Sequence, residues 1–495
     1  MQKETFIQQH MAGLNPQQQA AVEAVNGPVL LLAVPGSGKT TVLVTRLGYM
    51  VLCCDVPPAQ ILTMTYTVAA THEMRGRFSA RFGAELAGQM TFRTINGLSA
   101  VILQYYSRVY GRRQPELLTN EGDITRMLTD IWQQVNREFP TESTLKELRT
   151  AITYIKNMAL TDEEIEGLET DLASLPELYR RYQAALKRAG QMDYDDQMVF
   201  ALQILRAAPP VLAYFQQRYK YFCVDESQDT SKIQHEIIRL LAGRSLNLFM
   251  VGDEDQSIYG FRAAYPQALM DFEQVYPGAQ VLLMEENYRS SEEIVAAANA
   301  FVARSRYRRP KTLRATQGAQ CPIEIRHITR REEQINWLFE EARRGGRETA
   351  VLFRNNESAL PLVDLCERRG VPYRFKKADL TFFTHKIVLD AVDFLRFVYE
   401  PANGERFLRL YYKFGLALSR QRALAACGAS ARTGRPILEE LIRDPETKTR
   451  MRESLGDIYA AFKRIPQLNA ADALDAVRHG CGFGAYLNQK GMDTG

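Results

Sequence analysis

The apolar run Val29-Leu30-Leu31-Leu32-Ala33-Val34 leads directly into Pro35-Gly36-Ser37-Gly38-Lys39-Thr40. No other stretch limits the possible folds as tightly. A short apolar run bounded by prolines at 28 and 35 reads as a buried strand. Gly36 and Gly38 let the backbone turn so that its N–H groups face an anion, and a helix is expected to begin near Thr40. Lys39 can then reach the β- and γ-phosphates of a nucleotide, and the Thr40 hydroxyl can ligate Mg²⁺. The general phosphate-loop pattern has Gly where this chain has Ala33, a departure at one position.

Further strands are expected at Ile61–Thr65, Tyr221–Val224, Asn247–Val251 and Val281–Met284, with helical patterns between them. That alternation predicts an α/β fold with a parallel sheet covered by helices. From about Arg112 to Gln217 the texture is helical, with Ile124, Leu128, Ile131, Trp132 and Val135 at helical spacing. This stretch reads as a helical domain inserted between two strands of the sheet. After Tyr288 a second α/β texture follows, with Ala350–Phe353 as a strand, and from about Leu380 the pattern is helical again. The 495 residues are enough for three or four domains at roughly 150 residues each.

Composition excludes several classes. Seven scattered cysteines have no metal-ligand spacing and fit a reducing compartment rather than a disulfide scaffold. The N-terminal stretch is polar and Gln-rich, unlike a signal peptide, and no apolar run could span a bilayer, so a cytoplasmic protein is expected. The net charge of +4, from 62 basic and 58 acidic residues, neither requires nor excludes a polyanionic partner. Nucleic-acid binding has to rest on placed residues. The cluster Arg304, Arg306, Arg308, Arg309 and Lys311 reads as a solvated face.

Asp225-Glu226-Ser227-Gln228-Asp229 follows the Tyr221–Val224 strand, at the carboxyl end where α/β sheets bind ligands. Asp225 is placed to hold Mg²⁺ through water, and Glu226 to take a proton from the attacking water.

Taken together these residues resemble superfamily 1 DNA helicases of the UvrD/Rep/PcrA type. Leu14-Asn15-Pro16-Gln17-Gln18 resembles the Q motif, and Thr65-Tyr66-Thr67 with Glu73-Met74-Arg75 resembles motif Ia. Thr94-Ile95-Asn96-Gly97-Leu98 is similar to the following strand-contacting motif, and Met192–Asp196 to a segment just before motif II. Val224–Thr230 resembles motif II, Val251–Arg262 motif III and Asn287–Ser290 motif IV; Val351–Arg354 with Pro372-Tyr373-Arg374 is similar to the next stretch of the second core domain. The elements run in family order from Leu14 to about Tyr399.

The resemblance implies P-loop NTPase (RecA-like) core domains with helical insertions. The first core domain would comprise 1–111 and 218–286, its insertion 112–217, the second core domain 287–379, and the start of the second insertion 380–495. It implies ATP and Mg²⁺ as cofactors, with Thr40 and Asp225 at the metal and Gly36, Ser37, Gly38, Lys39, Thr40 and Thr41 at the nucleotide. Gln18 would read the adenine edge, Tyr288 would stack on the adenine, Gln256 would sense the γ-phosphate, and Arg289 would be an arginine finger. Tyr66, Thr94, Asn96, Tyr259 and Phe261 would contact DNA, the aromatics by sequence-tolerant stacking. The implied activity is 3′-to-5′ ATP-dependent translocation on single-stranded DNA, with unwinding at single/double-strand junctions in repair or replication.

Departures accompany the match. Val68-Ala69 stands where motif Ia commonly continues Asn-Lys, Phe261 replaces a common Trp, and Asn96 replaces a His. Motifs V and VI do not occur, so the second core domain is expected to be incomplete and the chain a truncated protein or fragment with weak activity alone. A non-catalytic ATP- and DNA-binding module, and the helicase part of a helicase-nuclease, are the competing readings. A kinase fits poorly, because the Asp-Glu motif and Gln256 belong to water activation.

Overall fold

The computed structural model describes every residue except 173, 244, 245, 345, 347, 376–385, 494 and 495. The chain forms two compact units, Met1–Glu324 and Ile325–Gly495.

In the first unit the strands are β1 (Val29–Ala33), β2 (Ile61–Thr65), β3 (Thr91–Thr94), β4 (Glu116–Leu117), β5 (Gln191–Met192), β6 (Tyr221–Val224), β7 (Leu248–Gly252), β8 (Gln280–Met284), β9 (Glu286–Asn287) and β10 (Arg314–Ala315). Six of them form one sheet in the order β3-β2-β6-β7-β1-β8, every neighbouring pair parallel. The expected runs correspond to β1, β2, β6, β7 and β8. The edge strand β3 is short and half-polar, so its sequence carries little hydrophobic signal.

Successive strand residues face opposite sides of the sheet. Leu30, Leu62, Phe222 and Met250 pack with Leu98, Phe215 and Ile237 on one side. Leu31, Ile61, Cys223 and Phe249 pack with Val42, Leu47 and Phe78 on the other. Both faces are therefore dry, which explains apolar runs without alternation. Because all six strands run the same way, their carboxyl ends open on one edge.

The helical stretch between β4 and β5 has its own core of Leu128, Trp132, Leu148, Ile152 and Leu178. It is tied to the sheet unit through its helix Glu142–Asn157. Lys156 Nζ, fully buried, lies 2.6 Å from Asp193 Oδ2 and 2.7 Å from Asp196 Oδ1. Thr153 Oγ1 and Asn157 Nδ2 donate to the two oxygens of Asp195. The acidic Asp193–Asp196 turn is thus the anchor of the insertion.

Arg46, on the helix Lys39–Cys53, is buried among backbone carbonyls. Its guanidinium donates to the carbonyls of Ala21 (3.3 Å), Ala24 and Val25 (3.2 Å) and lies 4.0 Å from the Phe249 ring centroid. These carbonyls end the helix Pro16–Glu23, whose negative dipole end favours a cation. Arg46→Met would leave several buried acceptors unpaired, so a destabilisation of about 2–4 kcal/mol is expected. An unchanged urea midpoint in the variant would show that the carbonyls find other partners.

The second unit is helical where it is described. Helices from Lys386–Tyr399 to Phe483–Asp493 surround Phe394, Phe397, Phe407, Phe414 and Phe462. The strand expected at Ala350–Phe353 is not found. A strand exists by its ladder with a neighbour, and among the described residues of this unit no strand is paired. Leu352 is accordingly 94% exposed. The boundary expected between 379 and 380 falls outside the described residues. Among the described residues no single helix is long and apolar enough to cross a membrane.

Candidate active site

The carboxyl edge of the sheet gathers the singled-out residues according to strand order. β1 delivers the phosphate loop, β6 the Asp225–Asp229 turn, β7 the Asp253–Gln256 turn and β8 the segment toward Tyr288. β2 and β3, at the other end of the sheet, deliver Tyr66, Thr94 and Asn96.

Gly36 and Gly38 have φ of +72° and +83°, and Lys39 opens the helix that follows. A Cβ at Gly36 would lie 2.8 Å from Arg289 Cβ, so the second requirement for glycine here is close approach. Lys39 Nζ lies 3.3 Å from Glu226 Oε2. Glu226 adopts φ +49°, a left-handed conformation uncommon for a non-glycine residue and typical of functional turns. Gln228 Nε2 donates to Glu226 Oε2 at 2.7 Å, and Gln228 Oε1 accepts from Asp253 N at 3.1 Å. Gln228 therefore braces the β6 turn against the β7 turn. Sequence reasoning gave it no role, because its partners come from two different strand ends.

Asp225 lies buried behind Glu226, and burial, then the Glu226 charge, push its carboxyl up to about 6 against the pull of Lys39. Asp229 is pushed up to about 6 by burial and the same neighbour. A carboxylate so disfavoured gains from a cation. Among the described residues no three His, Cys, Asp or Glu side chains form a metal cluster.

Gln256 Nε2 donates to Asp253 Oδ2 at 2.6 Å. Asn287 Nδ2 donates to Pro35 O at 2.7 Å, while its Oδ1 accepts from Arg289 N (2.9 Å) and Ser290 N (2.8 Å). Tyr288 N donates to Gly36 O at 3.0 Å. One asparagine thereby fixes Arg289, whose side chain is exposed, beside the phosphate loop. The Tyr288 hydroxyl donates to Glu286 Oε2 (2.6 Å) and accepts from Asn15 Nδ2 (2.9 Å). Gln18 is buried; its Oε1 accepts from Asn15 N and its Nε2 donates to Ser37 O at 2.9 Å. Its amide is thus joined to the phosphate loop. Ser37 Oγ donates to Val34 O, and Thr41 lies on the first turn of the Lys39 helix.

At the other end of the edge, the Tyr66 and Tyr259 rings stack at 6.0 Å, and Phe261 lies 6.0 Å beyond Tyr259. Arg262 sits 5.5 Å from both of the latter rings, and Phe261 is 59% exposed. Thr65, Tyr66, Thr94, Asn96 and Tyr194 line a groove of about 380 Å³. Thr94 Oγ1 caps the next helix by accepting from Gly97 N, and Asn96 Nδ2 donates to Tyr194 O. The structure thus brings Tyr66 together with Thr94 and Asn96 at the groove, and with Tyr259 and Phe261 in one aromatic row.

The basic stretch after residue 303 is not one solvated face. Arg304 and Arg306 are exposed, but Lys311 is buried and Arg308 binds Asp255 with two nitrogens. Arg309 donates to the carbonyls of Leu269 and Met270 and to Glu273. Their acidic partners are far away in sequence, so local composition could not reveal the pairing.

Residues 14–277 match the UvrD/REP helicase N-terminal domain, and residues 282–425 the UvrD-like helicase C-terminal domain. The chain is 32% identical over 432 residues to the ATP-dependent DNA helicase PcrA of Leuconostoc citreum, covering 83% of this chain and 57% of that protein. It is 32% identical over 427 residues to the ATP-dependent DNA helicase UvrD1 of Mycobacterium bovis, covering 81% and 54%. Against the putative ATP-dependent DNA helicase YjcD of Bacillus subtilis it is 28% identical over 493 residues, covering 97% and 64%. The chain therefore spans little more than half the length of the first two of these relatives.

Proposed function

Because the chain belongs to the UvrD-like helicase family, we propose that it is an ATP-dependent DNA motor that couples ATP hydrolysis to movement along single-stranded DNA and to unwinding at single/double-strand junctions. The observation that carries this reading is the shared edge. Lys39, Glu226, Gln256 and Arg289 lie at one end of it, and the row Tyr66, Tyr259 and Phe261 at the other. The segment from Asp253 to Arg262 spans both ends, so a change at the nucleotide has a short path to the strand.

In this reading residues 1–111 and 218–286 form the first core domain around the insertion 112–217, 287–379 begin the second, and 380–495 begin its insertion. Gly36, Ser37, Gly38, Lys39 and Thr41 cradle the phosphates. Thr40 and Asp225 would hold Mg²⁺, which would supply Lewis-acid polarisation of the phosphoryl oxygens. Gln18 and Tyr288 flank the base, Glu226 takes the proton of the attacking water, and Arg289 neutralises charge on the transferring phosphoryl group. Movement is 3′-to-5′ and serves repair or replication of DNA in the cytoplasm, as the family resemblance implies.

Titration with a fluorescent ATP analogue and Mg²⁺ tests the nucleotide site. Saturable binding is expected, and Lys39→Ala should weaken it by at least about tenfold, since charge-assisted contacts contribute roughly 1.5–3 kcal/mol. Equal affinity in the variant would overturn the site. The strand end is tested separately with a labelled oligo-dT. Stacking contributes about 1–3 kcal/mol per base, so the pair Tyr259→Ala and Phe261→Ala should lower affinity about tenfold or more. Binding should also weaken steeply with salt. Unchanged affinity in the double variant would make these aromatics packing residues only.

A further inference from the structure

Lys311 has no role in the nucleotide or strand sites proposed above, yet its buried ammonium is surrounded by three carboxylates. Its ammonium is 1% exposed and lies 2.9 Å from Asp253 Oδ1 and 3.2 Å from Asp255 Oδ2, and it also contacts Glu254 Oε1. Those three carboxylates are themselves buried, with side-chain exposures of 0%, 6% and 2% in the same order. Arg308 adds a second cation at Asp255. Burial opposes the charge on Lys311, but the attraction of Asp253 and Glu254 outweighs it and raises its pKa.

The Asp253 carboxylate is shared. Its Oδ1 faces Lys311, and its Oδ2 accepts from Gln256 Nε2. On the other side of Lys311 the chain is laddered onto β9. Thr312 N donates to Glu285 Oε1, Arg314 N to Glu285 O, and Thr316 N to Asn287 O. Asn287 is the residue that holds Pro35 O and the backbone of Arg289. A continuous series of contacts therefore runs from Gln256 through Asp253 and Lys311 to Asn287, Arg289 and the phosphate loop.

We propose that Lys311 is a positioning residue that locks the Gln256 turn to the Arg289 segment, so that a nucleotide contact at either one is felt at the other and at the Tyr259–Phe261 row. The proposal rests on the ATP- and DNA-binding reading given above. Without Lys311, three neighbouring buried carboxylates repel one another with less charge to offset them, and the Asp253 carboxylate that accepts from Gln256 loses its tie to the stretch 312–316. Lys311 touches no reactant. What its loss removes is coupling rather than binding.

The test is a comparison of the whole chain with its Lys311→Met and Lys311→Arg variants. Affinity for oligo-dT is measured with and without a non-hydrolysable ATP analogue, and affinity for the analogue alone is measured in parallel. In the parent chain the analogue should shift DNA affinity by about tenfold, within the usual range of coupling between sites. Lys311→Met should keep each separate affinity within about threefold and reduce the shift to less than about twofold, with Lys311→Arg restoring most of it. A parental shift in Lys311→Met overturns the proposal. If Lys311→Met fails to fold, Arg308→Gln, at the more exposed end of the cluster, should reduce the shift, and an unchanged shift there overturns it equally. A parent chain that binds neither analogue nor oligo-dT overturns the functional reading instead.

Discussion

Glu226→Gln is expected to lower ATP turnover by about 10²–10⁴-fold, the usual contribution of a positioned general base. Glutamine keeps the shape of the side chain and an oxygen that can still accept from Gln228 Nε2, which now contacts Glu226 at 2.7 Å. It cannot take a proton. The ion pair with Lys39, at 3.3 Å, gives the experiment a second readout. If Lys39 takes the phosphates as proposed, they compete with Glu226 for its ammonium, so binding nucleotide would exchange one anion for another. Removing the carboxylate charge relieves that competition. Nucleotide affinity in the variant should therefore equal or exceed that of the parent while phosphate release in the presence of single-stranded DNA collapses. Turnover within threefold of the parent would remove Glu226 from its role. A parallel collapse of affinity would mean that its main work is structural, holding the left-handed turn at φ +49°.

What the sequence disclosed about this edge depended on how local the determining contacts are. β1, β2, β6, β7 and β8 were legible because strands buried on both faces must be apolar at every position. Lys39, Asp225 and Glu226 were legible because each follows such a strand within a few residues. β3 was not, since Thr91-Phe92-Arg93-Thr94 at the sheet edge carries little hydrophobic signal. Ala350–Phe353 misled for the converse reason: it has the composition of a buried strand, but composition does not supply a partner. Arg46, Lys156 and Lys311 are basic residues that one-dimensional reasoning assigns to solvent. Each is buried because its compensating groups arrive from another element: helix-terminal carbonyls for Arg46, Asp193 and Asp196 for Lys156, and Asp253–Asp255 for Lys311. Charge burial of this kind is a property of the assembled fold, and no window of sequence contains both halves of it.

Arg289→Ala should produce a comparably large or larger loss, about 10³–10⁵-fold in turnover, as for other arginines that neutralise a transferring phosphoryl group. Its position beside the loop comes from the backbone. Asn287 accepts from Arg289 N at 2.9 Å and donates to Pro35 O at 2.7 Å, and the Arg289 Cβ fills the space that a side chain at Gly36 would need. The guanidinium itself is exposed, so its removal costs the fold little and leaves the Asn287 contacts standing. Stability and affinity for the ATP analogue should therefore change far less than turnover, because in the proposed role the charge that Arg289 offsets would develop mainly as the phosphoryl group transfers. Arg289→Lys should recover only a small part of the rate, since a point charge cannot reproduce the planar two-pronged contact. Single-turnover hydrolysis at saturating ATP separates the outcomes. A loss confined to nucleotide affinity, with the rate constant for the chemical step intact, would make Arg289 a binding residue and leave stabilisation of the transferring phosphoryl group to some other cation.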